Sequence, residues 1–517
     1  MTQLRRQLPI GIQTFAKIRE GEYYYVDKTP LAWRLAQTSG YFFLSRPRRF
    51  GKSLFLDTLK ELFEGNEPLF RGLDIHPRWD WTVRYPVIAI SFGGGVLQSR
   101  AELDRRIRDI LRVNQERLGL VCPDAQDVSG CFAELIRQAH AQTGQPAVVL
   151  IDEYDKPILD NIADSETALA MREGLKNLYS VIKDQDAHLR FVFLTGVSKF
   201  SKVSLFSGLN NLEDITLNAD YSALCGYTEQ DVDTVFAPEL DGLDRAEIRR
   251  WYNGYNWLGE AVYNPFDLLL LFRNRRFQPW WFETGTPTFL IRLLTERETW
   301  LPRLGELETD ADLLSTFEVD NIPTEALMFQ AGYLTIAREE WLGGTYYYQL
   351  RFPNREVSQS LYSSLLRIWT HEPENAVRNR KQLYRLLQSN DLDGLKDLFH
   401  AFFASIPNDW YRNNPIARYE GYYASVFYSY FAAVGLDIVL EDATNRGRID
   451  MTVRFNGRIY LFEFKVVEVA PEGRALQQIK DRGYAEKYRA AGQPIHLIGV
   501  EFSREGRNLV GFEVETL

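Results

Sequence analysis

Apolar positions along the chain fall into two rhythms. Four short stretches, 41–44, 87–92, 147–151 and 191–194, are apolar almost throughout, and segments of helical spacing such as about 100–118 separate them. Strands buried on both faces read as continuous apolar runs, and helices between them serve as crossovers. The first 220 residues therefore predict an α/β domain with a mostly parallel sheet and helices on both faces. The run Tyr23-Tyr24-Tyr25-Val26-Asp27-Lys28-Thr29, followed by Pro30, predicts a short strand and a helix start with proline early in the first turn.

The second rhythm is alternation. Arg448 to Phe455, then Asn456-Gly457, then Arg458 to Val467 reads as strand, two-residue turn and strand, and Asn-Gly is a strong hairpin signal. With Phe455 opposite Arg458, the same register sets Asp450 directly opposite Glu463. Opposed residues have Cβ atoms about 4.5–5.5 Å apart, so two carboxylates there repel, and a divalent cation between them compensates. Lys465, two residues beyond Glu463, shares their face, while Met451, Val453, Phe462 and Phe464 form an apolar opposite face. Two carboxylates with a lysine make a site for metal-assisted attack on a phosphodiester. The competing reading is an exposed strand face with an incidental acidic pair.

Around the hairpin, Asn414-Pro415 opens a helix expected to reach Val434 and stop at Gly435, with Glu420 in line with Ala424, Phe427 and Phe431. A carboxylate on so apolar a cylinder needs a partner, either the metal or a base such as Arg418. A further helix is expected from Ala475 through Tyr484 and Tyr488, where Gln478 orients the site or contacts substrate. Residues 391–517 are expected to form this domain. Between it and the first lie an aromatic-rich stretch, 221–289, and a helix-rich connector, 290–390. The aromatics, Trp251 to Trp257 and Trp280-Trp281 among them, stand near Arg249, Arg250, Arg273, Arg275 and Arg276. They serve either as a packed subdomain or as a base-stacking surface, and packing is the commoner use.

Arg46-Pro47-Arg48-Arg49-Phe50-Gly51-Lys52-Ser53 lies between the first apolar run and a helical segment. Gly-Lys-Ser opening a helix after a strand is the pattern of a phosphate-binding loop: helix amides face the anion, Lys52 reaches the outer phosphates, and Ser53 holds Mg2+. Arg46 stands where the first glycine of that pattern belongs. Arg48 and Arg49 either touch phosphate, act as arginine fingers on a neighbouring subunit, or form a solvated basic turn. Asp152-Glu153, closing the third apolar run, supplies an aspartate for the metal shell and a glutamate to orient or deprotonate water. Thr195, or Ser198 beyond it, is placed to sense a γ-phosphate, or is a plain turn residue.

Composition adds limits. The 517 residues, 45% hydrophobic and 25% charged, suit two to four globular domains. A net charge of −10 requires any nucleic-acid partner to meet a local basic surface, and residues 1–60 hold 11 Lys and Arg against 4 Asp and Glu. Three scattered cysteines and six histidines show no zinc-site or disulfide spacing. There is no signal-peptide core and no apolar run of transmembrane length, so the expectation is a cytoplasmic protein without membrane contact.

Taken together, Tyr25-Val26-Asp27-Lys28-Thr29, Pro47 to Ser53, Ile151-Asp152-Glu153-Tyr154-Asp155, Trp251-Tyr252-Asn253-Gly254-Tyr255, Tyr263-Asn264-Pro265 and the set Asp450, Glu463-Phe464-Lys465 resemble the AAA-ATPase-like proteins of bacteria and archaea that carry a C-terminal PD-(D/E)XK nuclease domain. The likeness covers nearly the whole chain. It implies a RecA-like ATPase core and a restriction-endonuclease-like fold, with Glu420, Asp450, Glu463 and Lys465 as the active-site set and Gln478 on a supporting helix. ATP and Mg2+ or Mn2+ are the expected cofactors, nucleic acid (DNA favoured over RNA) the expected partner, and a homo-oligomer is possible within that picture. The expected function is nucleotide-regulated phosphodiester cleavage. Its alternative is an ATP-driven switch whose nuclease-fold domain binds nucleic acid or protein without cutting. A phosphotransferase ranks last, for want of an acceptor site.

Overall fold

The structure is a computed structural model that describes residues 5–38, 40–199, 205–206, 209, 211–282, 307–311, 323–369, 373–405, 420–506 and 508–517, with 290, 294, 304 and 314. The chain divides into two compact units, Met1–Thr286 with Glu306–Asn354, and Pro287–Gly305 with Arg355–Leu517.

In the first unit the apolar runs become β1 (Tyr41–Ser45), β2 (Val87–Ser91), β3 (Ala147–Asp152) and β4 (Leu189–Gly196), joined by the short β5 (Leu212–Asp214). Their order is β2-β3-β4-β1-β5, and every neighbouring pair is parallel. Val148, Val149, Ile151, Phe191, Val192 and Leu194 are fully buried, as a sheet covered by helices requires. Helix α1 (Lys52–Phe63) packs on β2, β3 and β4, α2 (Arg100–Leu118) on β2, and α3 (Val128–Thr143) on β3, while α4 (Ser165–Asp184) packs against α2 and α3. The limits of α2 follow from its ends. Ser99 Oγ accepts from the Glu102 amide at 3.3 Å, and Gly119 terminates the helix in the left-handed region at φ +68°. Because the strands are parallel, the C-terminal ends of β1, β3 and β4 share one edge, and the loop after β1 meets Asp152 there.

The strand expected at 23–26 is reduced to a single bridge between Gln7 and Tyr23. The helix that follows, Thr29–Gln37, starts where expected, with Asp27 Oδ1 accepting from the amide and hydroxyl of Thr29. The helix-rich expectation for 290–390 holds at Arg355–Trp369 and Pro373–Ser389 but not at 308–310 and 335–351. Those residues build an antiparallel sheet in the first unit, β6 (Glu308–Asp310), β7 (Thr335–Leu342) and β8 (Thr345–Arg351), ordered β6-β8-β7. Gly343 and Gly344, at φ +58° and +94°, make the tight turn between β7 and β8.

The second unit is built on a mixed sheet of β9 (Asp437–Thr444), β10 (Gly447–Phe455), β11 (Arg458–Val467), β12 (Ile495–Ser503) and β13 (Leu509–Thr516), ordered β13-β12-β11-β10-β9. Only β11 and β12 are parallel; the other neighbours are antiparallel. Helix α5 (Glu420–Val434) packs through Phe427 and Phe431 on Phe462 and Phe464, and ends at Gly435, φ +78°. The expected start of that helix at 414 lies outside the described residues. Helix α6 (Arg474–Asp481) packs on β11 and β12, with Ile479 in one core with Ile459 and Leu461. The single helix expected to run through Tyr488 is two elements. Gly483, left-handed at φ +59°, breaks the chain, and a 3₁₀ turn, Tyr484–Ala491, follows.

Candidate functional sites

Gly51 is left-handed at φ +93°, which a side chain would resist, and this lets the chain turn from β1 into α1. No side chain caps the first turn of α1, whose residues Gly51, Lys52 and Ser53 line a cavity of about 600 Å³. An uncapped helix start facing a cavity is an anion site in its own right. The Lys52 ammonium donates to the carbonyls of Arg46 and Pro47 at 2.9 Å each, and burial pushes its pKa down. Arg48 and Arg49 also line the cavity, both exposed. Arg49 lies over the Phe266 ring at 3.8 Å.

Arg46 answers the missing glycine. It is fully buried, and it turns away from the loop to donate to Ser45 O and Thr216 O at 2.9 Å and to Tyr221 O at 3.2 Å, with its guanidinium 4.1 Å over Trp257. Burial drives its pKa down to about 10. The side chain braces the loop from behind. The aromatic-rich stretch does the same: Phe50 packs edge-on to Tyr255 and Trp257, and Trp281 Nε1 donates to Arg48 O at 3.1 Å. Tyr252, Tyr255, Trp257, Tyr263 and Trp281 are all buried, so packing, rather than base stacking, is their use.

Ser53 Oγ donates to Asp152 Oδ2 at 2.6 Å, and the buried Asp152 Oδ1 has no hydrogen-bond partner. A hydroxyl and a carboxylate with an orphaned oxygen fit a Mg2+ shell, since an unpartnered buried oxygen is otherwise costly. Burial raises the pKa of Asp152, and it raises that of Glu153 too, with Asp152 adding to the effect. Glu153 is held left-handed at φ +52° and lines the cavity, while the Tyr154 amide donates to Thr195 O. Such backbone strain in a non-glycine residue is typical of functional positions. Thr195 is not brought to the cavity. Its hydroxyl donates to Leu44 O at 2.9 Å and is fully buried, and Ser198 Oγ donates to Asp155 Oδ2 at 2.6 Å.

In the second unit the hairpin register runs as expected from Phe455↔Arg458 to Met451↔Phe462, and Asn456 and Gly457 both have positive φ, +49° and +71°. It stops one pair short of the site. Asp450 does not pair directly with Glu463; its Oδ2 accepts from the Phe464 amide at 2.8 Å. On the other side, pairing passes from Ile449↔Asp442 to Met451↔Leu440 and skips Glu441, which is left-handed at φ +44°.

Glu463 is 1% exposed. Its Oε1 accepts from Lys465 Nζ at 3.3 Å and from Gln478 Nε2, and its Oε2 has no partner. Burial, with Asp450 nearby, pushes its pKa up to about 8. An orphaned carboxylate oxygen beside a second carboxylate fits a divalent cation. Asp450, Glu463, Lys465 and Gln478 are thus brought together. Glu420 opens α5, but its side chain lies outside the described residues, and among those described no three His, Cys, Asp or Glu gather as a metal cluster.

Two residues of this site escaped the sequence reading. Glu501 on β12 is buried, and its two oxygens accept from the amides of Glu472, Gly473, Arg474 and Ala475 at 2.6–3.2 Å, tying the start of α6 to the sheet. A glutamate inside the apolar run 495–503 was the available signal. Tyr484 lies with its hydroxyl over Gly447, where a Cβ would come within 2.9 Å, and its pKa is raised by burial and then by Glu463.

Comparison with known proteins agrees with this division. A family model described as predicted AAA-ATPase matches residues 9–206, and one described as PD-(D/E)XK nuclease superfamily matches 418–512. An uncharacterised protein in the vnfD 5′ region of Azotobacter chroococcum mcd 1 is 66% identical over 514 residues, 99% of this chain and 99% of that protein. No solved structure matches. Among the described residues no helix is long and apolar enough to cross a membrane. With a phosphate-type loop at the end of β1 and a carboxylate hairpin at β10–β11, this chain belongs to the AAA-ATPase-like proteins that carry a C-terminal PD-(D/E)XK nuclease-superfamily domain.

Proposed function

We propose that this chain is an ATP-binding, nucleotide-regulated nuclease that hydrolyses phosphodiester bonds of nucleic acid, DNA in preference to RNA, with Mg2+ or Mn2+. The observation that carries the reading is Glu463: a buried carboxylate with one oxygen unpartnered, next to Asp450 and 3.3 Å from Lys465. Asp450 and Glu463 would hold the cation, which when bound supplies an activated water. Lys465 neutralises charge developing on the phosphate, and Gln478 fixes the orientation of Glu463. In the first domain Lys52 contacts phosphate, Ser53 and Asp152 hold Mg2+, and Glu153 orients water. The order β2-β3-β4-β1-β5, with the loop on β1, supports a RecA-like core, and the mixed sheet with α5 and α6 supports a restriction-endonuclease-like domain. We place its action in the cytoplasm, with exposed Arg48 available to a neighbouring copy in a homo-oligomer.

The alternative reading is an ATP-driven switch whose nuclease-fold domain binds nucleic acid or protein without cleavage. Incubating the purified chain with DNA and RNA, with and without metal and ATP, separates the two. Cleavage abolished by Asp450→Ala and Lys465→Ala supports the nuclease. ATP-dependent binding or assembly with no strand scission supports the switch.

A further inference from the structure

Two arginines stand beside the hairpin site. Arg446, in the turn between β9 and β10, and Arg482, just after α6, are both exposed, and Arg482 Nη1 donates to Arg446 O at 3.1 Å. Among the described residues neither makes an ion pair. Glu441 pairs with Arg448 at 2.8 Å and Glu486 with Arg489 at 3.6 Å, while Asp481 accepts from the neutral Gln477 amide. In a chain of net charge −10, two adjacent unpaired guanidiniums mark a place where an external anion completes the pairing.

Local backbone holds them at the site. The Arg446 guanidinium rests on Gly483, where an added Cβ would lie 3.1 Å from Nη1, and the Tyr484 hydroxyl rests on Gly447 in the same way. Both glycines have positive φ, +59° and +150°. Arg482 stands one helical turn beyond Gln478, its amide donating to Gln478 O at 3.0 Å, and the Gln478 side-chain amide donates to Glu463. Arg482, with Arg446 beside it, is thus one turn of α6 away from the side chain that bonds Glu463.

We infer that Arg446 and Arg482 form a clamp for the phosphodiester backbone of a nucleic-acid strand presented to Asp450, Glu463 and Lys465. This assignment rests on the nuclease reading above. Arginine suits it, because its planar fork binds phosphate bidentately while reading no base.

The test is anisotropy of labelled DNA and RNA strands with the full chain, in chelator so that nothing is cut, between about 50 and 200 mM salt. Arg446→Ala and Arg482→Ala should each reduce the slope of log affinity against log salt by about 1, uniformly across sequences. Arg446→Lys and Arg482→Lys should keep the slope. Arg504→Ala, at an arginine paired with Glu468, should match wild type. Wild-type binding with slopes unchanged in both alanine variants overturns the clamp and leaves the nuclease reading standing. A wild-type chain that neither binds nor cuts any strand brings down both. A slope lost with DNA and kept with RNA, or the reverse, supports the clamp and identifies the strand it grips.

Discussion

The Asp450 carboxylate accepts the Phe464 backbone amide at 2.8 Å, so a side chain completes the strand where the ladder with β11 has ended. This holds the Asp450 carboxylate beside Glu463. Two neighbouring carboxylates, one of them buried, are tolerable when one is tied to a backbone donor and the other to Lys465 and Gln478.

The raised pKa of Glu463 makes metal-free stability depend on pH. The unfolded glutamate loses its proton near 4.5 and the folded one near 8, so the folded state binds the extra proton between those values. Stability contributed by Glu463 is present below about 4.5 and is lost as pH rises to 8. Glu463→Gln should flatten this part of the profile and melt higher than wild type at pH 8–9, as measured by thermal denaturation in chelator. Metal affinity of the wild type should rise with pH over the same window, because the cation displaces that proton.

Glu501 holds four amides at the start of α6. Glu501→Ala should destabilise the second unit by roughly 2–4 kcal/mol, from lost charge-assisted bonds and an opened helix start. Hydrogen exchange should quicken first at residues 472–482. Unchanged protection there would remove the anchoring role.

Restoring the consensus glycine should harm the protein. Arg46→Gly removes three bonds to buried carbonyls and uncovers Trp257, with an expected cost of about 3 kcal/mol or more. Chemical denaturation and binding of a fluorescent ATP analogue should both weaken. An Arg46→Gly chain that is equally stable and binds nucleotide more tightly would mean that the arginine obstructs the loop.

The Ser53–Asp152 pair predicts that nucleotide and Mg2+ stabilise together. At a hundred times its Kd, Mg-ATP should add about 2.7 kcal/mol to wild type. Lys52→Ala and Asp152→Asn should lose most of that gain. Without ligand, Asp152→Asn should melt no lower than wild type, because its buried carboxylate has a raised pKa and costs stability at neutral pH. Lys465→Ala should keep the nucleotide effect and lose cleavage by a factor on the order of 10²–10³.

Local features were legible before any coordinates. Apolar runs of strand length specified the parallel sheet, Gly51 the turn into α1, and Asn456-Gly457 the register of the hairpin as far as Met451↔Phe462. These follow from side-chain alternation and from φ preferences, which act between residues adjacent in the chain or one turn apart. What escaped depends on neighbours distant in sequence. Arg46 reads as part of a basic loop until the carbonyls of Thr216 and Tyr221 draw it inward. Thr195 ends a strand as a sensor would, yet its hydroxyl is spent on Leu44 of the adjoining β1. Glu501 is one acid in an apolar strand until the start of α6 is packed on it, and the bond from the Phe464 amide to the Asp450 carboxylate arises only where β10 and β11 meet. Residue type and spacing state which groups a site contains. Packing settles where each polar group finds its partner, since a buried donor or acceptor must be satisfied by whatever the fold brings within reach.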